Sequence, residues 1–74
     1  MHGDGFVRRK ALSAVLTAVA RAARRGEGVA LHVEAQRILR EHPDCELTFT
    51  DIKVHIARQA KAYRVGIRDA AADE

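Results

Sequence analysis

Two interruptions constrain this chain more than any other feature of its sequence. "RRGEG" at residues 24–28 brings two glycines together, and "HPDCELT" at residues 42–48 carries the only proline. Glycine readily takes the left-handed conformation that stops a helix, and proline disfavours helical geometry in the residue before it, here His42. No helix can run through either point. The three segments so defined all repeat their apolar residues at helical spacing, so the chain reads as three amphipathic helices joined by two short connections.

In the first segment, with about 100° between successive residues, Leu12, Val15, Leu16, Val19, Ala22 and Ala23 fall on one face, opposite Lys10, Ser13, Thr17, Arg21 and Arg24. Arg24 and Arg25 suit the negative end of a helix dipole, and Gly26 supplies the stop. The second segment places Leu31, Ala35, Ile38, Leu39 and His42 together, with Val29 and Val33 off that face. After a turn centred on Pro43 and Asp44, Thr48 is an N-cap, Asp51 is the capping-box acid, and Leu47 and Ile52 have the spacing of a hydrophobic staple. The third segment lines up Ile52, Ile56, Ala60 and Tyr63, and Gly66 followed by Ile67 reads as its stop.

The spacing predicts helices over about residues 6–25, 29–41 and 49–65, with frayed ends at "MHGDG" and "RDAAADE". Fourteen alanines, a single proline and few β-branched or aromatic runs favour the same all-α reading, a compact three-helix domain with its ordered core over about residues 6–67. At 74 residues one core supplies little net stability, so homodimerisation is expected, with Val29, Val33 and Val54 as apolar residues outside the main stripes. A lone cysteine allows no internal disulfide. No charged and apolar leader pattern stands at the start, and the most apolar stretch, residues 11–23, is too short and polar to cross a bilayer. A cytoplasmic protein without membrane contact is expected.

The chemistry-bearing residues are sparse. His32, His42, Cys45 and His55 include only one close pair, His42 and Cys45, so no metal or other cofactor is expected. Cys45 stands between Asp44 and Glu46, whose charge suppresses a reactive thiolate, and reads as a small turn residue. Asp51 is committed to capping, and neither "GEG" nor "VGI" follows a strand as a phosphate loop would. No catalytic constellation or small-molecule substrate is therefore expected, and the chain reads as a non-enzyme.

Charge is more informative. Residues 6–25 carry six basic residues and no acidic one, residues 26–50 are net −3, and residues 51–68 are net +4. The first and third helices are cationic and the middle one acidic, although alanine and arginine together are also what a GC-rich genome favours. On the third helix Arg58 and Lys61 project opposite the core stripe, with His55 on one flank and Lys53 and Arg64 at the other boundary. That surface suits nucleic acid, preferably duplex DNA. Lys53, Arg58, Lys61 and Arg64 are candidate phosphate contacts, His55, Arg58 and Gln59 candidate base contacts, and Arg21 and Arg24 a second patch if the first helix lies on the same side. The order of helices is helix-turn-helix-like, but the seven residues from His42 to Thr48 exceed the usual three or four. The alternative is a protein-interaction module, an adaptor or inhibitor that offers a cationic helical surface to an acidic partner.

Overall fold

The computed structural model describes residues 3–68, and side chains from Val7 onward. Three helices follow in order: α1 over Gly3–Arg25, α2 over Leu31–Glu41 and α3 over Phe49–Ala62. The expected all-α, three-helix architecture is present. The fraying expected at residues 1–2 and 69–74 lies outside the described residues, whereas residues 3–5, expected to lie ahead of the first helix, already belong to α1.

Two boundaries differ from the sequence pattern, each for a physical reason. α2 begins at Leu31 because Val29 is extended and forms an isolated parallel bridge with Ile67. The Val29 N–H donates to the Gly66 carbonyl at 2.8 Å, and the Arg68 N–H donates to the Val29 carbonyl at 2.9 Å. Gly28 permits this approach: a Cβ there would lie 2.8 Å from Arg68 Cγ and 3.1 Å from the Gly66 oxygen. α3 ends at Ala62, with Tyr63 as C-cap, and the left-handed residue that stops it is Arg64, at φ 60°, not Gly66.

The start of α3 is as the sequence predicts. The Asp51 N–H donates to Thr48 Oγ1 at 3.0 Å, and the Thr48 N–H donates to Asp51 Oδ2 at 3.1 Å, which satisfies two of the amides that a helix start leaves over. The preceding turn closes with the Cys45 N–H donating to the His42 carbonyl at 3.1 Å. Glu46 takes a left-handed φ of 63° and pairs across the exposed surface with Arg8 on α1 at 3.5 Å.

The core gathers Val15 and Val19 from α1, Leu31 and Ile38 from α2, and Ile52 and Ile56 from α3, with Ala11, Ala18, Ala22, Ala35 and Ala60 between them. These alanines let the helix axes approach closely, and α3 packs against both other helices while α1 and α2 meet less extensively. Cys45 belongs to this core as well. It is almost completely buried, which corrects its reading as a mere turn residue.

Small residues also turn α1 away from the orientation that its bulk suggests. Ala11 and Ala18 are buried, Leu12 is half-buried, and Leu16 and Ala23 are exposed, so the buried face is rotated toward the alanine side of the expected stripe. Tyr63 is 49% exposed because the helix ends before it, so it does not continue the Ile52–Ile56–Ala60 stripe. Val29 is only 2% exposed and is covered within the chain, which removes it from the apolar residues left for a partner; Val33, at 60%, and Val54 remain.

Candidate nucleic-acid interface

The surface of α3 follows from its core stripe. With Ile52, Ile56 and Ala60 turned inward, helical spacing turns Thr50, Val54, Arg58 and Lys61 outward, and all four are exposed. Arg58 and Lys61, three residues apart, sit side by side on this face. Asp51 is the only acid of α3, and its carboxylate accepts the Thr48 N–H. Neither Arg58 nor Lys61 has a hydrogen bond or ion pair among the described residues.

α2 handles its charge in the opposite way. Arg37 Nε donates to Glu34 Oε1 at 3.1 Å, its Nη2 contacts the same oxygen, and its Nη1 lies 3.6 Å from Glu41 Oε1. The hydrogen bond with Glu34 is the main reason that the Arg37 guanidinium is held above its ordinary pKa, against a smaller opposing effect of burial. The acids of the middle helix are thus largely neutralised by their own arginine, and Arg58 and Lys61 of α3 are not paired with an acid among the described residues.

The remaining residues expected at the interface separate into several places. Lys53 is half-buried with its Nζ 4.9 Å from the centroid of Phe49, whose other neighbour is the His32 ring at 5.6 Å. This stack of cation, aromatic and imidazole ties the start of α3 to the start of α2, so Lys53 has an intramolecular role beside any external one. His55 and Gln59 are half-buried on the flank opposite Lys53. Arg64 is exposed but lies beyond the helix, on the left-handed turn.

Arg21 and Arg24 are exposed on α1, yet the structure does not bring Arg21 to the outer face of α3. Arg21 lines a shallow depression together with Glu27, Ala30 and Glu34, on the side of α1 that meets α2. Ala23, on another side of α1, is the residue that faces Tyr63 and Arg64. Arg21 is thus placed beside the start of α2.

Thr50, Ala57 and Leu31, none of them among the expected contact residues, line with Lys53 and Val54 a shallow groove of about 200 Å³ between α2 and α3. The spacing of Thr50, Val54 and Ala57 was available in the sequence; the arrival of Leu31 beside them depends on how α2 packs. Among the described residues no group of three or more histidines, cysteines or carboxylates is placed to hold a metal ion, and no helix is long and apolar enough to cross a membrane. No family model matches the chain, and neither a curated protein nor a solved structure is found to be similar to it.

Proposed function

We propose that this domain is a non-enzymatic regulatory or accessory protein that binds nucleic acid, preferably duplex DNA, through the outer face of α3. The observation that supports this reading is the pair Arg58 and Lys61, exposed side by side on α3 without an acidic partner among the described residues, on a molecule that neutralises the acids of α2. A face of this kind attracts a polyanion, because each phosphate it neutralises releases condensed counterion. Thr50, Val54 and Ala57 lie between the cations and the α2 groove, where a hydroxyl and small apolar side chains would meet base edges and thymine methyl groups. Self-association, expected from the small core, keeps the exposed Val33 as its apolar support.

A mobility shift across a salt series tests the reading. Binding to random duplex DNA should weaken with salt, and Arg58→Ala with Lys61→Ala should flatten the log–log slope by about two units, since each phosphate contact contributes roughly 0.9. Thermal stability should be unchanged, as both side chains point away from the core. Failure of the parent protein to bind at low salt would transfer the outer face to the alternative, a protein-interaction module. The exposed Val33 and the apolar lining of the Leu31–Val54 groove favour that second reading.

A further inference from the structure

The largest depression described lies away from the outer face of α3, where the chain leaves α1 and α3. It measures about 290 Å³, and one wall is Ala23, Gly26, Glu27 and Gly28, the other Tyr63, Arg64, Val65 and Gly66. Three features there present groups to a ligand. Tyr63, the only tyrosine of the chain, leaves about half of its surface exposed on the wall of this notch. Arg64 holds a left-handed backbone that L-residues disfavour, yet its exposed side chain makes no hydrogen bond or ion pair among the described residues. Gly66 needs no positive φ, and a Cβ there would meet nothing within 4 Å, so neither backbone geometry nor crowding requires a glycine.

We propose that this notch binds a nucleotide, its base stacked on Tyr63 and its phosphate held by Arg64, with Gly66 leaving one wall bare for the ligand's approach. An exposed aromatic ring accepts any base by stacking, and a guanidinium is well matched to a phosphate. The notch is also polar in the right sense. Glu27 and Arg64 both line it, a carboxylate for a donor-bearing base edge and a guanidinium for phosphate. Guanine, which presents two adjacent N–H donors on one edge, matches a carboxylate best. The nucleotide is either free or the unpaired end of a strand; the site requires the same chemistry of both, and it does not depend on Arg58 or Lys61.

The sole tyrosine makes the test direct. Titration with guanosine 5′-monophosphate, followed by proton NMR, should move the Tyr63 ring resonances upfield by the ring current of a stacked base. Ribose 5-phosphate, which has no base, should bind at least tenfold more weakly and leave those resonances in place. Arg64→Gly should weaken the nucleotide about tenfold or more, the loss expected of one charged hydrogen bond, while keeping the protein folded, because glycine is the natural residue for that backbone. Gly66→Leu should abolish the shift by filling the notch, with its melting temperature near that of the parent. The double variant at Arg58 and Lys61 should bind the nucleotide as the parent does, which separates this site from the α3 face. A short duplex with a single guanine overhang, run beside the mononucleotide, assigns the source: a Tyr63 shift with the duplex indicates strand ends, and a shift with the mononucleotide alone indicates the free ligand. An unmoved Tyr63 spectrum with both, or ribose 5-phosphate binding as tightly as the nucleotide, would overturn the proposal.

Discussion

The ends of α1 and α3 solve one backbone problem with two different residues. At the end of α1 the Glu27 N–H donates to the Ala22 carbonyl at 3.0 Å and the Gly26 N–H to the Ala23 carbonyl at 3.1 Å, with Gly26 at φ 67°. At the end of α3 the Val65 N–H donates to the Ala60 carbonyl at 2.7 Å and the Arg64 N–H to the Lys61 carbonyl at 3.1 Å, with Arg64 at φ 60°. Both are Schellman closures, which satisfy carbonyls that the last helical turn leaves over. The two exits then meet in the bridge between Val29 and Ile67. The left-handed residue is thus dictated by the hydrogen-bond pattern and the packing that follows it, and glycine is its cheapest occupant but not a required one. Val65 packs on the core at the second closure, and that contact holds Arg64 in place.

The largest effect expected of this comparison comes from removing the one favourable occupant. Gly26→Ala should cost about 1–2 kcal/mol, the penalty of a left-handed L-residue, and lower the melting temperature by roughly 4–8 °C per kcal/mol for a domain of this size. The added methyl meets nothing within 4 Å, so the cost is conformational. Arg64→Ala should be nearly neutral, because both residues carry the same penalty. Equal losses at the two positions in thermal melts would show that the two closures are not equivalent.

The reverse substitution is smaller and of opposite sign. Arg64→Gly should raise stability by about 1 kcal/mol, less the greater entropy that glycine gives the unfolded chain. Urea denaturation with an unchanged slope and a higher midpoint is the expected result. A loss of stability would mean that the arginine stem packs on the fold, and the case for an external role of its side chain would weaken accordingly.

What the sequence discloses divides along the same line. The start of α3 was legible because a capping box lies within four consecutive residues, Thr48 to Asp51, and needs nothing from the rest of the chain. The end of α3 was not, because the position of the closure depends on Val65 reaching the core, and the nearby glycine offered a plausible but wrong marker. In α1 the periodicity was legible and the orientation was not. Hydrophobicity alone favours the leucine side, whereas close helix approach selects Ala11 and Ala18. At the candidate interface Arg58 and Lys61 follow from spacing alone. The diversion of Lys53 to Phe49, the separation of Arg21 from α3 and the notch beside Tyr63 all arise from tertiary packing, which no local pattern encodes.

The smallest expected effect decides most sharply which residue stops α3. If Gly66 were the stop, as its place before Ile67 implies, Gly66→Ala would force a left-handed alanine and cost about 1–2 kcal/mol, as at Gly26. In the structure Gly66 lacks a positive φ, a Cβ there meets nothing within 4 Å, and its carbonyl still accepts the Val29 N–H whatever side chain it bears. Alanine then changes only the unfolded chain, whose lost freedom stabilises the fold by at most about 0.4–1 kcal/mol. The melting temperature of Gly66→Ala should therefore equal or slightly exceed that of the parent, in the same experiment in which Gly26→Ala falls. A drop comparable to that of Gly26→Ala would return the closure to Gly66 and would also remove the argument that its bare wall exists for a ligand.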